Sequence, residues 1–146
     1  KAGIPVCGHI GLTPQTSAMM GGFKVQGKSL EAAQALLDSA RAMEEAGAFM
    51  IVLEGIPAML ATEITKRISI PTMGIGAGAG CDMQVLVAQD MLGMNDWVPK
   101  FVKKYADLRT TILGAYNDYV KEANERTFPA EAYQYNAKIE GLENLK

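Results

Sequence analysis

Short apolar runs alternate with amphipathic segments along most of the chain. Three runs are rich in β-branched and small residues and predict buried strands, at residues 4–10, 48–53 and 70–75. The second run is apolar on both faces, as a strand covered by helices on both sides is. The stretch "MLGM" at residues 91–94 predicts a fourth, very short strand.

Apolar positions recur at three and four residues between and after these runs, which is the period of a helix with one buried face. Ser29 is a suitable N-cap for the first such segment, Gly47 a suitable end, and Pro57 suits the first turn of the next. Helices are predicted at about residues 30–46, 57–68, 82–89 and 107–124. The tail after Thr127 has turn residues and no clear period.

Strands and helices that alternate at this spacing predict an α/β fold with a parallel sheet. Two architectures compete, an open doubly wound sheet and a (βα)8 barrel. A barrel usually needs about 250 residues, so residues 1–146 would form about half of one. We expect one domain, with a C-terminal helix and tail from about residue 107.

Composition narrows the functional classes. Apolar residues make up 49% and charged residues 21%, which is typical of a globular chain. A net charge of −2 predicts no nucleic-acid or membrane partner, and no apolar run is long enough to span a bilayer. Cys7 and Cys81 lack a C-x-x-C spacing, which favours a reducing compartment and predicts a cytoplasmic protein.

His9, the only histidine, and Glu54 both fall where a predicted parallel strand ends. Ligands bind at this edge in both architectures. The apolar surroundings of Glu54 tend to raise its pKa toward the range of a general base. The alternatives are that Glu54 is a solvated residue that caps the next helix and that His9 is a hydrogen-bonded core or loop residue. His9 alone does not make a metal site.

The segment "GIGAGAG" at residues 74–80 also has two interpretations. Gly74, Gly76 and Ala79 partly fit a dinucleotide-binding fingerprint, with Asp96 about 20 residues on. The alternative is a tight loop in which glycine lets the backbone approach a substrate or cofactor closely.

Five motifs together resemble the ketopantoate hydroxymethyltransferase family, and they occur in order over nearly the whole chain. They are "VCGHIGLTPQ", "GGFKVQG", "IVLEGIP", "IPTMGIGAG" and "VPKFVKKY". The resemblance implies a (βα)8 barrel of the phosphoenolpyruvate mutase and isocitrate lyase type, of which this chain would be the C-terminal half, about strands five to eight.

The resemblance also implies a reaction. A hydroxymethyl group passes from 5,10-methylenetetrahydrofolate to 3-methyl-2-oxobutanoate, giving 2-dehydropantoate for pantothenate synthesis. By resemblance Glu54 is the general base, His9 binds the oxo acid, "GGFKVQG" covers the barrel mouth, and Gly76 and Gly78 line the cofactor site. Mg²⁺ is expected as cofactor, with its ligands in the N-terminal half and none in this chain.

The expected partners are the oxo acid, the folate and the N-terminal half, within a homodecamer. Two other functions stay open at this point. One is a nucleotide-binding oxidoreductase that uses residues 74–78, and the other is a non-catalytic fragment that serves only in assembly.

Overall fold

The structure is a computed structural model and describes residues 3–19 and 21–146. Within these residues, four strands form one parallel sheet in sequential order. They are β1 (Cys7–Gly11), β2 (Met50–Glu54), β3 (Thr72–Ile75) and β4 (Met83–Gln84). A doubly wound sheet reverses its strand order at a switch point, and the described sheet has no such reversal. The predicted α/β fold with a parallel sheet is confirmed.

Four α-helices accompany the sheet in the part of the chain that the structure describes. They are α1 (Leu30–Glu45), α2 (Ala58–Arg67), α3 (Ala88–Met91) and α4 (Leu108–Glu125), with 3₁₀ turns at Pro14–Thr16, Glu131–Tyr133 and Leu142–Asn144. The Ser29 hydroxyl accepts a hydrogen bond from the Ala32 N–H at 3.1 Å, and Gly47 follows α1 with a φ of 91°. Both predicted ends of α1 are therefore confirmed.

The main core lies between α1, α2 and one face of the sheet. Gly8 faces α1 closely, since a Cβ built on it would lie 2.6 Å from the Met43 sulfur. Side chains alternate between faces along a strand. Ile51 and Leu53 of β2 are fully buried on this side. The residues that alternate with them in β2, Met50, Val52 and Glu54, therefore face the opposite side of the sheet. In register across that opposite face lie His9, Val52, Met73 and Met83.

The segment after β3 differs from the sequence prediction. The predicted helix at 82–89 and the predicted strand at 91–94 are both wrong. The Asp82 carboxylate accepts hydrogen bonds from the Thr72 N–H at 2.8 Å and the Thr72 hydroxyl at 3.0 Å. These bonds hold the chain beside the start of β3, so Met83–Gln84 pairs as β4. A helix begins only at Ala88 and has ended by Gly93, whose φ is 69°.

Helix α4 forms as predicted, and the Asp107 side chain accepts a hydrogen bond from the Thr110 N–H at its start. Its apolar side chains, including those of Ile112 and Tyr116, are not buried by any described residue. No helix in the described part of the chain is both long and apolar enough to cross a bilayer.

Candidate active site

The two side chains singled out at strand ends meet in the structure. Because His9 is in register with Val52 and side chains alternate along a strand, His9 and Glu54 project from the same face of the sheet. His9 Nε2 lies 3.0 Å from Glu54 Oε2. The Glu54 side chain is 12% exposed, and that of His9 is 35% exposed. The prediction that Glu54 ends its strand is confirmed. The same prediction for His9 is wrong, because β1 continues to Gly11 and His9 is the third of its five residues.

The backbone around Glu54 is held by three neighbouring segments. The Leu12 N–H donates to the Glu54 carbonyl at 2.8 Å, and the Gly55 N–H donates to the Ile75 carbonyl at 2.9 Å. The Gln26 N–H donates to the Gly55 carbonyl at 2.9 Å. Gly55 has a φ of 57°, which glycine adopts without strain. These hydrogen bonds fix the backbone from which the Glu54 carboxyl group projects.

Burial raises the pKa of the Glu54 carboxyl above its ordinary value, and the neighbouring His9 imidazole opposes that rise. The two atoms are at ion-pair distance, but His9 Nε2 has no well-aligned hydrogen-bond partner among residues 3–19 and 21–146. The contact between His9 and Glu54 is therefore electrostatic. A carboxylate with a raised pKa suits proton abstraction, and a buried imidazole nitrogen without a bond can serve a ligand.

A cleft of about 720 Å³ opens beside Glu54. Its walls come from the carboxyl ends of β2 and β3 and from the loops after β1 and α3. The lining residues are Leu12, Pro14, Phe23, Lys24, Val25, Glu54, Gly55, Ile75, Gly76, Val87, Asp90, Asn95, Trp97, Pro99, Lys100 and Phe101. This volume lies in the range of small-molecule sites.

The loop "GGFKVQG" contributes Phe23, Lys24 and Val25 to this cleft, and its position over a barrel mouth stays a prediction. Sequence reasoning missed the contribution of Trp97, Lys100 and Phe101. Lys100 and Phe101 lie in the motif "VPKFVKKY", which has no helical or strand period and gave no role to any residue, and Trp97 directly precedes that motif.

Gly76 and Gly78 have different surroundings. Gly76 lines the cleft, and a Cβ on it would lie 2.6 Å from the Phe101 ring. Gly78 is not among the lining residues; a Cβ there would lie 2.4 Å from the Ala58 Cβ, and its carbonyl accepts a hydrogen bond from the Gln84 side chain. Close backbone packing therefore accounts for glycine at both positions.

The segment 76–82 connects β3 to β4 without a helix. A dinucleotide fingerprint needs a helix N-terminus directly after its glycines to receive the pyrophosphate. Asp96, the other part of the partial fingerprint, forms an ion pair with Arg109 at 2.7 Å. The geometry does not support the nucleotide-binding interpretation.

Among the described residues, no group of three or more His, Cys, Asp or Glu side chains could hold a metal ion. His9 and Glu54 offer two donors, which do not fit a Mg²⁺ site by themselves, since that ion requires near-octahedral oxygen coordination.

A family model described as ketopantoate hydroxymethyltransferase matches residues 1–131. The chain belongs to the ketopantoate hydroxymethyltransferase family.

Curated members of the ketopantoate hydroxymethyltransferase family resemble this chain over almost its whole length. Proteins named 3-methyl-2-oxobutanoate hydroxymethyltransferase from Carboxydothermus hydrogenoformans and Clostridium novyi are each 56% identical to it, over 145 and 146 residues. One from Enterococcus faecalis is 55% identical over 146 residues. Each alignment covers 99% of this chain but only 52% or 53% of the relative. The chain spans about half the length of these ketopantoate hydroxymethyltransferases.

Proposed function

We propose that this chain is the C-terminal half of a (βα)8 barrel that transfers a hydroxymethyl group from 5,10-methylenetetrahydrofolate to 3-methyl-2-oxobutanoate. The product is 2-dehydropantoate. The observation that carries the proposal is the buried Glu54 carboxyl at the carboxyl end of β2, beside His9 of the neighbouring parallel strand, in a chain of this family.

Glu54 takes the proton from C3 of the oxo acid. That carbon is weakly acidic because the adjacent keto group accepts the electron pair left behind. The C3 carbanion then forms a bond to the methylene carbon of the folate, and water adds the hydroxyl oxygen. Both bonds from that carbon to the folate nitrogens break, and these nitrogens take up the proton held by Glu54 and one proton from water, so that tetrahydrofolate leaves. A partly desolvated carboxylate is a stronger base than one in water, so the burial of Glu54 supports its role as the base that removes the C3 proton.

His9 donates a hydrogen bond to the bound oxo acid. Its Nε2 atom is buried and lacks a well-aligned partner among the described residues, although it is only 3.0 Å from the proposed base. An oxygen of the oxo acid that accepts a hydrogen bond from His9 Nε2 would give this nitrogen a partner and would bring C3 of the oxo acid toward Glu54. Binding and proton removal would then be coupled through one pair of side chains.

The barrel and its missing half are part of the same proposal. In the described sheet, β1 and β4 each pair on one side only, and paired strands on both sides would close a barrel. The relatives are about twice as long as this chain. The other half would supply the closing strands and the Mg²⁺ ligands, and we derive no step through that ion. A cytoplasmic homodecamer remains our expectation for the whole enzyme.

The test compares three preparations. The full-length enzyme should form 2-dehydropantoate from the two substrates, detected by mass spectrometry. Residues 1–146 alone should be inactive and should associate through unpaired strand edges. Addition of the N-terminal half should restore activity. An active, monomeric 146-residue chain would contradict the half-barrel, and an inactive full-length enzyme would contradict the assigned reaction.

A further inference from the structure

One wall of the cleft comes from a loop without regular structure. Residues 92–107, all of which the structure describes, form neither helix nor strand. We call them the wall loop. It supplies five of the residues that line the cleft, namely Asn95, Trp97, Pro99, Lys100 and Phe101. A loop has no ladder of hydrogen bonds to keep its shape, so a fixed wall depends on individual contacts.

Backbone contacts close the base of the wall loop. The Tyr105 N–H donates to the Met91 carbonyl at 2.8 Å, and the Arg109 N–H donates to the Gly93 carbonyl at 3.1 Å. A Cβ on Gly93 would overlap the Ala106 carbonyl oxygen, so the two ends of the loop pass each other closely. These contacts fix where the loop leaves α3 and enters α4, but they do not fix the residues between.

The Lys104 side chain crosses the wall loop and binds the segment just before Trp97. Its ammonium group donates to the Asn95 carbonyl at 2.7 Å and to the Asp96 carbonyl at 3.3 Å. The Asp96 carboxylate pairs with Arg109 Nε at 2.7 Å. The chain that leads into Trp97 is therefore held through its backbone by one cation and through a side chain by another.

Phe101, farther along the wall loop, is held differently. A Cβ on Gly76 would lie 2.6 Å from the Phe101 ring, so this ring packs directly against the backbone that follows β3. Trp97 is 72% exposed. Its place in the wall therefore depends on the bonds to the neighbouring Asn95 and Asp96 more than on burial of its own ring.

We propose that Lys104 is a positioning residue that holds Trp97 in the wall of the cleft. The inference rests on the proposed function, whose reactants fill the cleft, and Lys104 acts on that site through Trp97. Without the Lys104 bonds Trp97 leaves the wall for part of the time, and ligand affinity falls with the fraction of molecules whose wall is in place. His9 and Glu54 lie on strands of the sheet, so proton removal does not depend on Lys104.

Fluorine NMR of the full-length enzyme labelled with 5-fluorotryptophan reports the surroundings of Trp97, and Trp97→Phe assigns its line. The line should shift or broaden in Lys104→Met, whereas Lys104→Arg keeps a cation with several donors and should stay close to the parent. Lys103→Met is the matched control. Lys103 is the adjacent exposed lysine, its ammonium lies 4.8 Å from the centre of the Tyr105 ring, and its loss should leave the Trp97 line in place.

Kinetics of the same variants separate positioning from a general loss of structure. The folate is the larger reactant and covers more of the cleft wall. Its KM should therefore rise about three- to tenfold in Lys104→Met, the effect of one exposed hydrogen bond from a charged group. Lys104→Arg should restore most of this KM. Exchange of the C3 hydrogen of the oxo acid in deuterated water, without folate, should keep the parent rate.

An unmoved Trp97 line in Lys104→Met would overturn the inference. A moved line with an unchanged KM, or with a parallel loss of C3 exchange, would overturn it as well. If the parent forms no 2-dehydropantoate, the proposed function fails, and the fluorine line alone then decides whether Lys104 positions Trp97.

Discussion

Replacement of His9 by leucine separates its electrostatic role from its packing role. Leucine keeps much of the side-chain volume beside Glu54 but removes both ring nitrogens. The imidazole is 3.0 Å from Glu54 Oε2 and is the neighbour that lowers the pKa of that carboxyl against the effect of burial. Without it only burial acts, so the pKa of Glu54 should rise further.

The substitution should change the pH profile of hydrogen exchange and the KM for the oxo acid. The acid limb of the pH profile for hydrogen exchange at C3 of the oxo acid should move to higher pH, because the base must lose its proton to act. The KM for the oxo acid should rise about 10- to 150-fold, the equivalent of one hydrogen bond to a charged group at about 1.5–3 kcal/mol.

The assay follows exchange of the C3 hydrogen in deuterated water by NMR in the full-length enzyme, over a series of pH values and oxo acid concentrations. Met73→Leu, a change of similar volume on the same sheet face, is the control and should leave the profile in place. If His9→Leu loses thermal stability while its KM and pH profile do not change, His9 is a core residue and the reasoning is refuted.

The other predictions concern stability. Burial raises the pKa of the Glu54 carboxyl above its ordinary value of 4.5. The stability that this group contributes is therefore fully present below the pKa of the unfolded state, and it is lost as the pH rises through the pKa of the folded state. Glu54→Gln should therefore raise the Tm relative to the parent more at about pH 7 than at about pH 4, and an equal difference at both pH values would contradict the assigned burial cost. Gly78→Ala should lower the free energy of unfolding by about 2–4 kcal/mol, since its Cβ would lie 2.4 Å from that of Ala58 at a φ of 77°. Gly114→Ala on α4, with nothing within 4 Å, should raise it by about 1 kcal/mol, and similar effects of the two substitutions in denaturant titrations would count against this packing.

Much of the fold was predictable because local signals decide it. The first three strands, the Ser29 cap and the Gly47 end of α1 depend on period and on near neighbours in the chain. The approach of His9 to Glu54 follows from two parallel strands that end at one edge. No pattern along the chain could supply the distance, which depends on the register of β1 against β2.

The errors lie where distant contacts override local preference. Residues 82–89 have a helical pattern, but Asp82 is bound to Thr72, and that contact makes a strand of the residues that follow. Trp97, Lys100 and Phe101 belong to a loop without a period, so only the folded chain brings them to the cleft. A periodic pattern identifies buried faces, whereas a binding loop needs no such pattern.

Hydrogen exchange in a Glu54→Gln variant of the full-length enzyme tests the central claim most directly. The substitution keeps the shape of the side chain and removes the base. The matched control is Glu63→Gln, an exposed residue of α2 whose carboxylate pairs with Lys66 and Arg67. With 3-methyl-2-oxobutanoate in deuterated water and no folate, exchange at C3 should fall about 10²- to 10⁴-fold in Glu54→Gln and stay at the parent rate in the control. Undiminished exchange in Glu54→Gln would show that another group removes the proton.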